Sequence, residues 1–329
     1  MYNGAAEPSG ILVVRLGAMG DIVHALPAVA SLKTSFPRLP LTWIIESNWA
    51  ALLDGNPFVD RVIRFDRKNA RTWSSTMREL RAKRYSVAVD FQGLLKSAGI
   101  ARLARPGRVV GFCRSEVRER AAALLYTDPV SAPSIHAVDR NLDLATAAGA
   151  KQTVKIFPLP AGVAEGDLPT QGFVLASPFA GWKSKQWPLD YYAEAALRLG
   201  RECGMPLVLN GPPEAREQLE QVPGARVHIS GIPGLIDATR RAVAIIGVDS
   251  GPMHIAAALG KAGVAVFGPT HPDRNGPYGG TLQVLRSSRA VSTYDRGAYI
   301  RGDEIDPSMR DITPGQVVAA LKAQVACLA

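Results

Sequence analysis

At 329 residues, the chain is long enough for two domains of ordinary size. Its hydrophobic fraction of 47% and charged fraction of 20% are typical of a folded globular protein and exclude an intrinsically disordered one. The three cysteines lie far apart without a CxxC pair, which excludes a disulfide framework and a cysteine zinc site and favours a reducing compartment.

The first residues, MYNGAAEPSG, lack the charged-then-apolar layout of a signal peptide. No apolar run approaches the roughly 20 residues that span a bilayer. We therefore expect a soluble protein of the cytoplasm.

The net charge of +9 is concentrated in two stretches of the N-terminal half. Arg61–Arg84 holds nine basic residues against two acidic ones, and Arg102–Arg120 holds six arginines against two glutamates. Positive charge concentrated in this way favours an anionic partner: nucleic acid, anionic lipid or a phosphorylated substrate. For any single arginine, a solvated helix face is an equal alternative.

The first half of the chain alternates strands and helices. An apolar strand is predicted over Ile11–Val14, followed by a glycine turn and a helix from about Ile22 to Lys33. Further short strands are predicted near Leu41–Ile45, Arg61–Phe65 and Ser86–Asp90, separated by segments of helix length. This alternation indicates a parallel sheet covered on both faces.

A stretch rich in proline and glycine, FPLPAGVAEGDLPTQ, interrupts the alternation over residues 157–171 and is interpreted as an interdomain linker. We predict a first domain over residues 1–160, with the linker continuing to about 171, and a second over 172–329. The elements predicted in the second domain are strands Phe173–Ala176, Leu207–Asn210, Val243–Ile246 and Val264–Phe267 and helices near Tyr191–Arg201, His254–Leu259 and Pro314–Gln324.

The predicted fold class is α/β, with two Rossmann-like, doubly wound parallel sheets. Such sheets bind ligands at the carboxyl ends of their strands, and we expect the two crevices to face each other across a cleft. A return of the last helix to the first domain is left open.

The first loop, RLGAMGD, follows a buried strand and ends on Asp21. Its G-x-x-G-D spacing lacks the third glycine and the ribose-binding acid of a dinucleotide fingerprint, and no Gly-Lys-Ser/Thr of a P-loop follows. A carboxylate at this strand tip can accept the proton of an attacking hydroxyl, whereas an ordinary helix N-cap is the structural alternative. Gly17 is assigned to the binding of the acceptor, the substrate that carries this hydroxyl, since glycine backbone can approach a ligand closely.

Two segments of the second half predict a phosphate site. Asp249-Ser-Gly-Pro-Met-His254 follows a buried strand and opens a helix, so that free backbone N–H groups can bind a diphosphate. Lys185 lies between two tryptophans and can stabilise the charge of a leaving diphosphate without a metal ion. The structural alternatives are a cap and tight turn for Ser250 and Gly251 and a packed core histidine for His254.

The residues at the end of the next strand, Gly268 and Thr270, are assigned to the same pocket, with a plain turn as the equal alternative. In the loop Ser177–Gly181, no hydroxyl-bearing residue stands immediately before Trp182, so we expect no side-chain contact with phosphate there. Backbone groups would then make the phosphate contacts there.

Five segments together resemble the ADP-heptose:lipopolysaccharide heptosyltransferases of glycosyltransferase family 9. They are RLGAMGDIVHALPAVASLK (15–33), VDFQGLLKSA (89–98), SKQWP (184–188), GVDSGPMHIAAALG (247–260) and FGPTHP (267–272). The QGLLKSA run and the basic residues 67–71 favour the heptosyltransferase I branch.

This resemblance implies a GT-B fold, inversion at the anomeric carbon, and neither metal nor cofactor. It implies ADP-L-glycero-D-manno-heptose as donor substrate and the Kdo–lipid A inner core of lipopolysaccharide as acceptor. By the family's motifs, Asp21 is the catalytic base, Lys185 binds the diphosphate, and Asp249, Ser250, Gly251 and His254 line the donor site. A family member with another acceptor, such as heptosyltransferase II, or with another nucleotide sugar is the alternative.

Basic residues in the first half are assigned to the anionic acceptor, since guanidinium groups bind carboxylate and phosphate through paired hydrogen bonds. The residues chosen are Arg67, Lys68, Arg71, Lys96 and Arg118. The stretch Glu116–Tyr126 is amphipathic, which suits peripheral contact with the inner face of an anionic membrane or a helix packed on the core.

Two other classes of protein remain as alternatives. A Rossmann oxidoreductase would explain the opening strand–turn–helix, but it requires the ribose acid and leaves the second α/β half unexplained. A nucleic-acid-binding module would explain the basic stretches, but no RNA- or DNA-binding motif is present, and we expect no nucleic-acid partner.

Overall fold

The computed structural model describes residues 9–66, 69–289 and 302–325, without the side chains of residues 70–72. The chain divides into two compact units, with the division between Leu159 and Pro160. Each unit contains one six-stranded sheet, and every neighbouring pair of strands is parallel.

The first unit alternates strands with α-helices, except that 3₁₀ helices, Ser47–Leu53 and Arg120–Leu125, connect β2 to β3 and β5 to β6. Its strands are β1 (Gly10–Val14), β2 (Leu41–Glu46), β3 (Arg61–Phe65), β4 (Tyr85–Asp90), β5 (Arg108–Phe112) and β6 (Asp128–Val130). Its helices are α1 (Met19–Ser35), α2 (Ala70–Arg81), α3 (Leu95–Leu103) and α4 (Ala137–Ala147).

The second unit repeats this plan after residues 151–173, which hold neither helix nor strand. Its strands are β7 (Val174–Ala176), β8 (Leu207–Gly211), β9 (Arg226–Ile229), β10 (Ala244–Val248), β11 (Gly263–Phe267) and β12 (Leu282–Arg286). Its helices are α5 (Leu189–Cys203), α6 (Arg216–Glu220), α7 (Ile232–Arg241), α8 (Gly251–Ala258), α9 (Pro272–Asn275) and α10 (Pro314–Gln324).

The central strands are apolar along their whole length because helices cover both faces of each sheet. All five residues of β1, β8, β10 and β11 are buried, as expected of parallel strands with two covered faces. The prediction of two doubly wound parallel sheets is confirmed.

The strand order is β3-β2-β1-β4-β5-β6 in the first sheet and β12-β11-β10-β7-β8-β9 in the second. In both, the order reverses between the first and fourth strands of the unit, that is, between β1 and β4 and between β7 and β10. Ligands of doubly wound sheets bind at this reversal, outside the carboxyl ends of the strands. The segments that follow these four strands are therefore where the site must be sought.

Two local predictions need correction. Helix α1 begins at Met19 rather than near Ile22, so that Ala18 is the N-cap and Asp21 is the third helical residue. The stretch Glu116–Tyr126 forms a turn and a 3₁₀ helix, Arg120–Leu125, instead of an amphipathic α-helix.

The segment from Glu116 is not an α-helix because the Glu116 carboxylate faces inward. It lies 2.5 Å from Arg140 Nη2 and accepts hydrogen bonds from the Ser131 hydroxyl and the Ala132 N–H. These contacts hold the segment in a turn before a helix can start.

The final described helix, α10, packs against α5 and β11 of its own unit. Trp187, which precedes α5, is buried beside it and donates its indole N–H to the carbonyl of Ile312 at 2.8 Å. Within the described residues, no helix is both long and apolar enough to cross a bilayer.

Candidate active site

The first turn of α1, just after the loop that follows β1, holds the predicted catalytic carboxylate, Asp21. Arg15 Nη2 lies 2.5 Å from Asp21 Oδ2, and the backbone N–H of Ala18 donates to the same oxygen at 3.4 Å. The Asp21 side chain is 45% exposed, whereas Arg15 is only 11% exposed. The carboxylate is therefore held from the protein side and open to solvent on the other.

Burial of part of the loop acts to raise the pKa of the Asp21 carboxyl, but the positive charges of Arg15 and His24 and the Ala18 N–H outweigh it. The net effect lowers the pKa of Asp21 below its ordinary value. Asp21 is consequently ionised at neutral pH and able to accept a proton.

Two residues that sequence reasoning leaves unassigned complete this loop: Arg15 and Gln92. Arg15 Nη1 donates to the Phe91 carbonyl at 2.5 Å, and Gln92 Oε1 accepts from the Leu16 N–H at 2.8 Å. The segment after β4 thus supports the segment after β1, at the reversal of the sheet. No sequence signal connects positions about 76 residues apart; only the parallel pairing of β1 with β4 does.

Gly17 has a packing role in this loop. A Cβ at this position would lie 2.8 Å from the indole nitrogen of Trp49, so a larger residue would have to displace that ring. Its role at the acceptor stays a prediction.

The predicted acceptor residues divide into two groups. Arg67 and Lys68 lie outside the described residues, as does the side chain of Arg71. Lys96 is the second residue of α3, and its ammonium group lies 4.5 Å from the centre of the Phe65 ring. Arg118 is exposed in the turn before the 3₁₀ helix.

The structure brings the segments of Lys96 and Arg118 together at the carboxyl edge of β4. The N–H of Glu119 donates to the Gly93 carbonyl at 3.0 Å, and its carboxylate accepts from the Leu95 N–H at 2.6 Å. Lys96 and Arg118 therefore lie on segments that contact each other at this edge, and their role at the acceptor stays a prediction.

In the second unit, Lys185 and Asp249 form an ion pair. Lys185 ends a 3₁₀ turn that follows β7, and Asp249 directly follows β10. Their side chains lie 2.9 Å apart and are 16% and 8% exposed, so the pair is largely withdrawn from water. The Lys185 ammonium also lies 4.7 Å from the centre of the Trp182 ring.

Helix α8 starts beside this pair. Ser250 is its N-cap residue and Gly251 its first helical residue, and the side chain of Ser250 makes no capping hydrogen bond. His254 is buried on the same helix, with Nε2 4.0 Å from Asp249 Oδ1. The start of α8, where N–H groups have no partner within the helix, thus lies at the edge where a phosphate is expected.

Two predicted donor residues carry buried hydroxyls without a hydrogen-bond partner among the described residues, Ser250 and Thr270. Both hydroxyls are able to donate a hydrogen bond to an oxygen atom of a ligand. Gly268, just after β11, allows the close approach of Ser308, whose Oγ would lie 2.7 Å from a Cβ there.

Comparison with known proteins identifies the family. The model of glycosyltransferase family 9 (heptosyltransferase) matches residues 73–297. The chain belongs to glycosyltransferase family 9.

Relatives match along most of this family 9 chain. Lipopolysaccharide heptosyltransferase 1 of Pseudomonas aeruginosa is 30% identical over 295 residues, which cover 82% of this chain and 81% of that protein. The protein of the same name from Escherichia coli K12 is 28% identical over 304 residues, covering 85% of this chain and 94% of that one.

Among solved structures, E. coli heptosyltransferase WaaC with ADP superposes with a TM-score of 0.76 at 24% identity, covering 96% of this chain and 99% of that one. This likeness confirms the predicted GT-B fold. Membership of family 9 makes the chain a glycosyltransferase, and the oxidoreductase alternative falls.

Proposed function

We propose that this family 9 enzyme transfers heptose from ADP-L-glycero-D-manno-heptose to the Kdo–lipid A inner core, with inversion and without a metal ion. The observation that carries the proposal is the Lys185–Asp249 pair beside the start of α8, at the reversal of the second sheet. Heptosyltransferase I relatives over more than four-fifths of the chain support the choice of sugar and acceptor.

The donor diphosphate lies against Lys185 and the first N–H groups of α8. As the bond between the anomeric carbon and the diphosphate oxygen breaks, the leaving group gains negative charge, and a fixed ammonium and helix N–H groups stabilise it. Asp249 holds Lys185 in place, while the unmet hydroxyls of Ser250 and Thr270 are available to donor oxygens. Asp249 and His254 lie where they can also contact the transferred sugar.

The acceptor hydroxyl loses its proton to Asp21 as its oxygen attacks the anomeric carbon. Asp21 suits this task because it is ionised and about half of its side chain reaches solvent. The carboxylate and phosphate groups of the acceptor are bound by cationic residues of the first unit, Lys96 and Arg118 with the predicted Arg67, Lys68 and Arg71.

The decisive experiment incubates the purified chain with a panel of nucleotide sugars and with Kdo–lipid A before and after addition of a first heptose. Release of nucleoside diphosphate that requires ADP-heptose and the unheptosylated acceptor supports the proposal. Preference for the heptosylated acceptor would indicate a heptosyltransferase II-like activity, and preference for another donor would refute the assigned sugar. NMR of the product tests inversion, and loss of turnover in EDTA that Mg²⁺ restores would refute metal independence.

Asp21→Asn tests the base. We expect kcat to fall about 10²–10⁴-fold with unchanged ADP affinity, because the amide cannot accept the proton and does not touch the donor. Asp54→Asn, at an exposed carboxylate elsewhere in the first unit, is the matched control. Near-normal turnover of Asp21→Asn would refute the assignment.

The same proposal includes peripheral contact with an anionic membrane surface at the cytoplasmic face. The 3₁₀ helix Arg120–Leu125 exposes 76% of Leu124 next to the exposed arginines 118 and 120. Cosedimentation with phosphatidylglycerol vesicles should exceed that with phosphatidylcholine vesicles, and Leu124→Ser should reduce it. Equal binding to both vesicles would refute the contact.

A further inference from the structure

The end of β4 holds a fully buried carboxylate, that of Asp90, which has no role in the proposed mechanism. Asp90 accepts four hydrogen bonds, and all four donors are neutral. Two are backbone N–H groups, those of Gln92 at 2.9 Å and Gly93 at 3.3 Å, and two are hydroxyls, those of Ser97 at 2.8 Å and Tyr126 at 2.7 Å.

Withdrawal from water raises the pKa of Asp90, and the four hydrogen bonds only partly oppose it. A buried carboxylate is costly unless it is hydrogen-bonded, and these four bonds offset part of that cost. What they fix is the turn from Phe91 to Leu94, in which Gly93 has a φ of +71°. That value lies in the left-handed region that favours glycine, so the turn is sharp and specific.

This turn is the support of the first loop. Phe91 supplies the carbonyl that holds Arg15 Nη1, and Gln92 supplies the side-chain oxygen that receives the N–H of Leu16. Arg15 in turn lies 2.5 Å from Asp21. Three successive contacts therefore connect the buried carboxylate of β4 to the solvent-facing carboxylate of α1.

We propose that Asp90 is a positioning residue for the reaction: it fixes the β4–α3 turn, the turn holds Arg15, and Arg15 orients Asp21. Asp90 touches neither donor nor acceptor. The inference rests on the proposed role of Asp21 as base, and it adds the residue that keeps the base in its place.

Asp90→Ala and Asp90→Asn separate positioning from mere folding. The alanine removes all four bonds, so Arg15 loses its support and kcat should fall up to about 10²-fold while the donor KM stays near its wild-type value. The asparagine keeps an oxygen for the two backbone N–H groups, and its amide can donate to the Tyr126 hydroxyl while Ser97 keeps its alternative acceptor, the Leu94 carbonyl. It should therefore recover most of kcat.

The pH profile is a readout that a structural role would not move. The charged or titratable groups facing Asp21 are Arg15 and His24, and the His24 ring contacts that of His136. Arg15 lowers the pKa of Asp21, so its displacement raises that pKa. Activity needs the ionised carboxylate, and the acid limb of kcat should consequently move to higher pH in Asp90→Ala and stay in place in Asp90→Asn.

Val109→Ala is the matched control. Val109 is buried on the neighbouring strand β5, beside Ala88 and away from the carboxyl end of β4, and its truncation should destabilise the same sheet without touching the turn. Its kcat and acid limb should equal those of the wild type. If Asp90→Ala does not fold, Tyr126→Phe, which removes one of the four bonds, should shift kcat and the limb in the same direction by less.

The outcomes separate the role of Asp21 as base from the role of Asp90 as positioning residue. Normal turnover of Asp21→Asn overturns the assigned base and this inference with it. An inactive Asp21→Asn together with a wild-type kcat and acid limb in folded Asp90→Ala, or in Tyr126→Phe where the alanine does not fold, overturns the positioning role alone. Equal changes in Val109→Ala would also overturn it, since they would reduce the effect to stability.

Discussion

Replacing Lys185 by methionine separates the two tasks assigned to its ammonium group, stabilising the second unit and binding the donor. Methionine keeps most of the apolar stem but leaves the carboxylate of Asp249, 8% exposed, without its cation. Removing one partner of a buried ion pair costs about 3–5 kcal/mol. The N-terminus of α8 stabilises the nearby Asp249 carboxylate by about 0.3–1 kcal/mol, and the pair retains some contact with water. We therefore expect the free energy of unfolding to fall by about 3 kcal/mol.

The companion variant, Lys185→Met with Asp249→Asn, removes both charges and should regain most of that stability, because no uncompensated charge stays buried. Its ADP affinity should not recover. A charge-assisted hydrogen bond contributes about 1.5–3 kcal/mol, so ADP binding should weaken about 10–100-fold in the single and the double variant alike. Lys183→Met, at an exposed lysine of the same 3₁₀ turn, should change neither quantity.

Urea unfolding followed by tryptophan fluorescence measures the stability, with Trp187 reporting on the second unit from its buried position. Titration calorimetry with ADP measures the affinity. A single variant as stable as the wild type would show that the pair is not desolvated as described. Recovery of ADP affinity in the double variant would show that Lys185 only neutralises Asp249, and the donor role would be refuted.

Three further predictions follow from particular contacts. Glu165→Ala should lower the free energy of unfolding by about 1–2 kcal/mol in urea, because its carboxylate accepts two backbone N–H bonds at the start of α7; an unchanged midpoint would contradict this. Hydrogen bonding from Arg289 lowers the pKa of Asp311 from 3.8 to about 2, so its stabilisation is present above about pH 4 and is lost as the pH falls towards 2. Asp311→Asn should remove that part of the acid dependence of unfolding, and an identical pH profile would be the contrary result. Gly111→Ala should destabilise the first unit by about 1–3 kcal/mol and lower kcat, because its Cβ would overlap the ring of Tyr126; a wild-type kcat in the folded variant would count against the link.

The sequence predicts most of the apolar strands well but misses three of the four edge strands, for a physical reason. Strands β1 and β11 are buried on both faces, so they appear as uninterrupted apolar runs, and the predictions fall within one residue of the observed bounds. The edge strands β9 and β12 hold one buried residue each and β6 holds none, so they lack such runs. The fourth edge strand, β3, is predicted over its observed bounds. Strand β5 is not predicted, because its apolar residues lie within an arginine-rich stretch that is interpreted only by its net charge.

For the candidate site, sequence reasoning names the separate residues but not their contacts. Sequence reasoning assigns Lys185 and Asp249 each to the donor, yet their direct pairing depends on the adjacency of β7 and β10, and the two residues lie 64 positions apart in the sequence. Arg15 belongs to the first-loop motif, but the sequence assigns it no role, because nothing in the spacing shows that its side chain turns back to Asp21. A contact between distant segments depends on which strands are neighbours in a sheet. The sequence predicts the type of sheet but not the order of its strands.

The burial of the two ion pairs explains why similar positions in two similar sheets suit opposite chemistry. In the first unit the cation, Arg15, is the buried partner and the carboxylate of Asp21 the exposed one. In the second unit the order is reversed, since Asp249 is more deeply buried than Lys185. A ligand meets the outer member of each pair first, while the inner member fixes its charge and orientation. The first unit therefore presents a base to a hydroxyl, and the second presents a cation to a diphosphate, so exchanging the two charges within either pair should abolish its function even where the ion pair itself survives.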